Sequence, residues 1–307
     1  MIPLLYIAGY GRSGSTILEA MLGTDPRVFP TGEMSRFWEM VQDPSILCSC
    51  GEPVQSCPLW GRVLQRVLPD SPPPGSLRKL MRRVEGSRTK TGRPSTDDLR
   101  TYERITRRLF SALTEQLDSL VRVLVDSSKT AYGHCNRPGM LHRLFPESEV
   151  RVLHLVRDVR GVAFSMRKGL NRNLERNGKG GWNLLNFFRA IIGWTYANMR
   201  AASLKKTLPR GRYLLVRYED FVLSAPAVLD RVRDFLGLEP PDGLSDPVFL
   251  QGRFERHQLA GNRNRFDATV AIRPDFRWKK ELKPLEKALA LGLGWPLMKR
   301  FDYLGGF

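Results

Sequence analysis

Residues 4–22, LLYIAGYGRSGSTILEAML, constrain the fold more than any other stretch of the chain. Leu4 to Ala8 is an unbroken apolar run closed by glycine, which reads as a strand buried on both faces. Gly9 to Thr16 then reads G-Y-G-R-S-G-S-T, with glycines and a terminal threonine where a phosphate loop of the form G-x-x-x-x-G-K-[ST] wants them. From Thr16 to Leu22 a helix follows, with Ile17, Leu18, Met21 and Leu22 apolar. Strand, glycine loop and helix in that order aim backbone amides and the positive end of a helix dipole at one point, a setting for an anion. The motif's lysine is missing: Ser15 has its place, and the nearest cation is Arg12. The loop is suited to phosphate but lacks the group that reaches a triphosphate's outer phosphates.

Further strands are expected at Val28 to Thr31, Val121 to Asp126, Val150 to Val156 and within Arg212 to Phe221. Helical patterns fill the intervals at about Met140 to Phe145, Val159 to Lys168, Leu184 to Lys206 and Ala227 to Leu236. The alternation implies an α/β fold, a doubly wound, mostly parallel sheet of about five strands of the P-loop type. Ligands of such sheets bind outside the carboxyl ends of the strands. Residues 59–120 break the alternation with a basic, helix-forming stretch. Ser95 and Asp98 form a capping box, and Leu99, Tyr102, Leu109, Leu113, Leu117 and Leu120 form an apolar stripe. They are expected to form a helical insertion within a single domain spanning 1–307. Asn171 to Trp182, polar and glycine-containing, reads as a lid or acceptor loop.

The formal charge of +18 fits an anionic ligand, a nucleic acid, a membrane surface or a solvated arginine-rich exterior. No helix-turn-helix, RNP or zinc-finger pattern is present, so nucleic acid is not expected as a partner. Peripheral contact with a membrane stays open. No apolar run approaches the roughly 18 residues of a membrane span, and the start of the chain lacks the pattern of a secretory leader. A cytoplasmic protein is expected. Four cysteines are too few for a disulfide scaffold. Three of them, Cys48, Cys50 and Cys57, share one loop. Its C-x-C spacing is tighter than the usual zinc pair, and the reading is of reduced thiols with no metal, although a disulfide or a metal stays open.

The second informative stretch is LHLVRDVRGVAFSMRKG, Leu153 to Gly169. An apolar strand ends at Arg157, and Ser165 lies on the helix that follows, able to face the same cleft. A guanidinium and a hydroxyl suit a phosphate monoester, although alone the pair more often describes a surface arginine and an ordinary helical serine. Combined with the first loop, the pair makes the chain resemble the sulfotransferases that use 3′-phosphoadenosine 5′-phosphosulfate (PAPS), in particular prokaryotic members. Gly11, Arg12, Ser13, Gly14, Ser15 and Thr16 resemble that family's 5′-phosphosulfate loop, and Arg157 with Ser165 its 3′-phosphate site. Tyr218 resembles a tyrosine lying against the adenine, and Trp194 a tryptophan on the preceding helix. Arg265, Arg277 and Lys279 fall in segments that resemble those closing over the nucleotide. The resemblance spans the chain except for about Arg62 to Leu120.

It implies sulfuryl transfer from PAPS to an acceptor hydroxyl, with adenosine 3′,5′-bisphosphate (PAP) as product and no metal required. Arg12 would stabilise the leaving oxygen, and Lys129, in DSSKT, would contact the transferring group. The Arg12-to-Glu33 spacing resembles that of tyrosylprotein sulfotransferases, where a glutamate of a similar G-E segment takes the proton. A carboxylate at a strand end in a closed cleft is expected to have the raised pKa of a base. His257 is the second candidate base, because the cytosolic phenol and steroid enzymes use histidine; those enzymes carry lysine where this chain has Arg12. The acceptor is open among glycans, lipid-linked hydroxyls, small molecules and peptide tyrosine. The rival reading is a P-loop kinase or nucleotidase, with Asp126 ending its strand as a magnesium-binding carboxylate would. A non-enzymatic binder of anionic surfaces is the third.

Overall fold

A computed structural model describes residues 2–86, 92–131, 133–146, 150–166, 184–239, 257–261, 263–266 and 272–305. Five strands form one sheet: β1 (Leu4–Gly9), β2 (Val28–Gly32), β3 (Val123–Asp126), β4 (Val150–Val156) and β5 (Tyr213–Arg217). Their order is β2-β3-β1-β4-β5, and every pairing is parallel. The doubly wound parallel sheet is thus as the alternating pattern implies.

The apolar run of β1 explains the winding. Its side chains alternate between faces. Leu4, Tyr6 and Ala8 join one buried cluster, Leu5 and Ile7 another. The first cluster holds α2 (Phe37–Gln42), α3 (Trp60–Val67), α4 (Pro74–Glu85) and α5 (Thr96–Thr114) against the sheet. Helix α6 (Arg137–Leu144) joins them through Leu141 and Leu144. The second cluster holds α1 (Ser15–Leu22), α9 (Tyr218–Leu223) and α10 (Ala225–Leu236). A third, around Trp194 and Phe301, joins α7 (Val159–Met166), α8 (Leu184–Thr207), α11 (Trp278–Glu281) and α12 (Pro284–Arg300).

Three helices, α3 to α5, fall within residues 59–120. The capping box at α5 is present: the Ser95 hydroxyl accepts from the Asp98 amide at 3.0 Å, and the Asp98 carboxylate accepts from the Ser95 amide at 2.9 Å. The expected stripe runs too long. Helix α5 ends at Thr114, and Leu120 is exposed. Beyond its end Asp118 accepts the Leu120 amide on its side chain and the Val121 amide on its carbonyl, a turn that delivers the chain to β3. Leu99 is also exposed, while Ile105 and Phe110 are buried.

A buried ionic knot ties this helical layer to the sheet. Arg137 on α6 pairs with Glu85 on α4 and, at 3.0 Å, with Asp126 at the end of β3. Tyr102 of α5 donates to Glu85 at 2.9 Å, and His134 lies 2.7 Å from the same carboxylate. Burial works against the charge of Glu85, but Arg137 and His134 outweigh it and hold its pKa below the usual range.

Candidate active site

The carboxyl ends of all five strands open on one cleft of about 280 Å³. After β1, Gly11, Arg12, Gly14, Ser15, Thr16 and Ile17 line it; Glu33 follows β2, Lys129 follows β3, Arg157 and Ser165 follow β4, and Tyr218 follows β5. Gly261, Arg273 and Asp275 close it from the C-terminal part of the chain.

Gly14 caps α1 with φ 89°. Both its backbone and its missing side chain matter, because a Cβ there would sit 2.7 Å from the Tyr218 ring. Arg12 and Lys129, the cations on either side of the cleft, also hold left-handed backbone, each with φ 67°. That conformation costs a non-glycine residue about 1–2 kcal/mol, and such strain gathers where a side chain must be aimed. Arg157 secures the first by donating Nη1 to the Arg12 carbonyl at 3.0 Å. The second is secured by the Lys129 amide on the Ile7 carbonyl at 3.2 Å and by the Tyr6 hydroxyl on the Lys129 carbonyl.

The two sequence anchors meet directly. Arg12 Nε donates to Ser165 Oγ at 2.9 Å. Arg157 is buried at the end of β4, its guanidinium 4.3 Å above the Tyr218 ring. Its Nη2 donates to the Asp275 carbonyl at 2.6 Å and lies 3.4 Å from the Asp275 carboxylate. Among the described residues its Nε has no hydrogen-bond partner, an orphan donor beside the cleft. The Tyr218 hydroxyl accepts from the Asp275 amide at 3.1 Å. Buried Trp194 donates its indole N–H to the Arg157 carbonyl at 2.9 Å, fixing the strand end.

Opposite the loop, Lys129 Nζ stands 2.5 Å from Glu33 Oε1 and 3.2 Å from the Ser127 carbonyl. Burial pushes the Glu33 carboxyl up, but Lys129, with Arg36 and Arg265, outweighs it and leaves the pKa below the usual carboxylate range. The expected raised pKa is therefore corrected: a paired lysine reverses what burial alone would do. Behind this pair sits Glu19 of α1, fully buried. It accepts from the Gly32 amide and the Ser127 hydroxyl, each at 2.6 Å. Burial drives its pKa up to about 8, against lowering by those two bonds. One carboxyl thus holds Gly32, beside Glu33, and Ser127, two residues before Lys129.

Several expected site residues lie elsewhere. Ser13 is buried behind the loop, and its hydroxyl has no partner among the described residues. Arg265 donates to the Gly261 carbonyl at 2.9 Å and the Leu47 carbonyl at 3.2 Å, near Glu33 but outside the lining. Arg277 pairs with Asp275 at 2.8 Å, and Lys279 lies 5.1 Å from the centre of the Phe276 ring; neither lines the cleft. His257 is not at the cleft as a base would be: its Nδ1 lies 3.2 Å from Cys57 Sγ. Three thiols are therefore not the whole cysteine cluster, since the fold adds an imidazole from 200 residues away. Asp126 is committed to Arg137 and to the Ser128 amide at 2.9 Å, and is not among the lining residues. His154 is core, bonded to Asn198 and Tyr213. The lid expected at Asn171 to Trp182 lies outside the described residues. Arg273, Asp275, Ile17 and Gly261 were not singled out as site residues in the sequence; Ile17 was read only as an apolar helix position.

A glycine loop after the first strand of a five-stranded parallel sheet, with cationic residues at the same carboxyl edge, defines the P-loop-like α/β class. The model of the "Sulfotransferase family" matches residues 3–242, and the chain belongs to that family. Solved structures agree on the fold. The sulfotransferase domain from the curacin biosynthetic pathway is 20% identical with a TM-score of 0.54, covering 95% of this chain and 97% of its own. The sulfotransferase domain of the Synechococcus PCC 7002 olefin synthase is 22% identical with a TM-score of 0.50, covering 94% and 93%. Mouse sulfotransferase SULT7A1, complexed with PAP, is 12% identical with a TM-score of 0.50, covering 98% and 86%. Among the described residues no helix is long and apolar enough to cross a membrane.

Proposed function

We propose that the protein moves a sulfuryl group from PAPS to an acceptor hydroxyl by in-line displacement, with Glu33 as base. The observation that carries this is the meeting of two anion anchors, Arg12 in the loop and Arg157 after β4, through Ser165 and the Arg12 carbonyl. Two cationic anchors on different strands, with no Walker lysine between them, suit a nucleoside with single phosphates at two positions. The orphan Arg157 Nε and the Tyr218 ring beneath the guanidinium fit a 3′-phosphate beside an adenine. PAP in the mouse neighbour supports the same ligand class.

Thr16, the Ser15 hydroxyl and the loop amides would hold the 5′-phosphate, at the positive end of α1. Arg12 would meet the charge that grows on the bridging oxygen as the sulfur–oxygen bond breaks, and PAP leaves with the electron pair. Glu33 would take the acceptor's proton as the acceptor oxygen bonds to sulfur. Lys129 can serve either partner. Drawn to a sulfonate in the cleft, it leaves Glu33 without its counter-ion, and burial then raises the carboxyl toward a base's pKa. Arg265, Arg277 and Lys279 remain proposed contacts for a closed form. The acceptor class we propose is a hydroxyl on a glycan, a lipid-linked carrier or a small molecule. We read 1–307 as one catalytic domain with 59–120 inserted.

The kinase reading fits less well, because Ser15 replaces the lysine and Asp126 is tied to Arg137. Release of PAP from labelled PAPS, measured against panels of glycans, lipids and phenols and against ATP with magnesium, tests the proposal. Acceptor-dependent PAP release is expected. Phosphoryl transfer from ATP with no turnover of PAPS would overturn it.

A further inference from the structure

Cys48, Cys50, Cys57 and His257 play no part in the chemistry above, yet their ligand atoms all lie within 4.8 Å of one another. We propose that these four residues bind one zinc ion, which staples the segment 257–261 beside Glu33. Zinc in structural sites takes four sulfur and nitrogen ligands tetrahedrally, at about 2.3 Å for sulfur and 2.0–2.1 Å for nitrogen. Those lengths put neighbouring sulfurs about 3.7–3.8 Å apart and sulfur to nitrogen about 3.5 Å apart. The Cys57 and Cys48 sulfurs are 3.7 Å apart, and Cys57 Sγ is 3.2 Å from His257 Nδ1. A disulfide needs about 2.05 Å, and all four cysteines are free.

The bland alternative is that these are small apolar core residues, since Cys48 and Cys57 do sit in the core beside Trp60. It explains two buried thiols but not the other two members. Cys50 is exposed and still converges on the cluster, and an imidazole is aimed at the thiols across 200 residues of sequence. Three thiolates with one imidazole favour zinc over hard, oxygen-seeking cations. The loop is shaped for it: Gly51, at φ 94°, turns the chain, with its amide on the Cys48 carbonyl at 3.0 Å. Trp60 donates its amide to Cys57 Sγ at 3.4 Å, the kind of bond that steadies a thiolate. Four protein ligands leave no open position, so the ion is structural.

Its place in the fold gives it a task. The Trp60 indole donates to the His257 carbonyl at 2.5 Å, and Ser49 and Gln258 exchange bonds of 3.1 and 2.8 Å. Leu259 then pairs with the end of β2: its amide donates to the Thr31 carbonyl at 2.8 Å and its carbonyl accepts the Glu33 amide at 2.7 Å. This contact is close enough that a Cβ on Gly32 would lie 2.1 Å from the Leu259 carbonyl. Two residues on, Gly261 lines the cleft. Anchoring His257 thus anchors the strip of backbone that holds Glu33.

The test is the metal content of the full chain, purified without chelator and analysed by mass spectrometry of the elements. About one zinc per chain is expected. After exchange to cobalt, the strong absorption of tetrahedral thiolate-bound cobalt is expected, with loss of both signals in Cys50→Ser and His257→Ala. Cys135→Ser, a buried cysteine outside the cluster, keeps them. Should a ligand variant not fold, the wild type still decides: a mercurial that blocks thiols must release the zinc. Fewer than about 0.1 zinc per chain, before and after reconstitution with zinc chloride under reducing conditions, would overturn the proposal. So would a disulfide within the loop in the freshly purified chain. Zinc content is read without PAPS turnover, so the two proposals fail separately.

Discussion

The Lys129 ammonium stands 2.5 Å from the Glu33 carboxylate across the carboxyl ends of β3 and β2. The proposed base is therefore ionised and paired before any acceptor arrives. Glu33→Gln keeps the shape and the hydrogen bond but cannot accept a proton. We expect kcat to fall about 10²- to 10⁴-fold with PAP affinity unchanged, read by single-turnover kinetics and calorimetry. Equal loss of binding and turnover would make Glu33 a structural carboxylate.

The sign of the Glu33 shift makes a second prediction. Lys129 and its neighbours hold the carboxyl below its ordinary range, against burial. The acidic limb of log(kcat/KM) for PAPS against pH, which reports the free enzyme, should accordingly lie below the ordinary carboxylate range in the wild type. Lys129→Met removes the main lowering charge and leaves burial, so the limb should move to higher pH while the maximum falls. A limb that stays in place would separate Glu33 from the titrating step.

Glu19 carries a linkage signature in stability rather than rate. Its pKa is about 8 when folded against 4.5 for a free side chain. Between those values the folded chain keeps a proton that the unfolded chain has released, so stability falls as pH rises through that window, by at most about 1.4 kcal/mol per pH unit. Glu19→Gln keeps one acceptor for the Gly32 amide and a donor for Ser127, and removes the titration. Denaturant melts from pH 5 to 8 should show a shallower decline in the variant. Parallel declines would assign the pH dependence elsewhere.

Arg137 balances two buried carboxylates, Glu85 and Asp126. Arg137→Met strands both and should cost about 3–5 kcal/mol in urea unfolding. Adding Glu85→Gln should recover part of that loss. A near-neutral single variant would mean that the knot does not hold the helical layer to the sheet.

What the sequence disclosed follows from the range of the forces involved. The β1 run, the loop and the cap at Ser95 are local patterns, and so were legible, whereas the end of α5 was not. Arg157 and Ser165 were legible because eight residues of strand end and helix fix their relative position. Glu33's pairing with Lys129 was not, because 96 residues separate them and its sign depends on a contact that only the β2-β3 pairing creates. His257 was misassigned for the same reason, since the cysteine loop gives no sign of a partner so far along the chain. Arg273 and Asp275 reach the cleft through tertiary placement after α10 and had no motif to mark them.

The most direct test of the two-anchor account is calorimetric titration of PAP and of adenosine 5′-phosphate, which lacks the 3′-phosphate, against wild type and Arg157→Ala. A lost charged hydrogen bond is worth about 1.5–3 kcal/mol, or about 10- to 150-fold in Kd. The account predicts that loss for PAP, and a smaller one for adenosine 5′-phosphate, which feels only the missing Arg157 bond to the Arg12 carbonyl. Equal weakening of both ligands, or of neither, would contradict it.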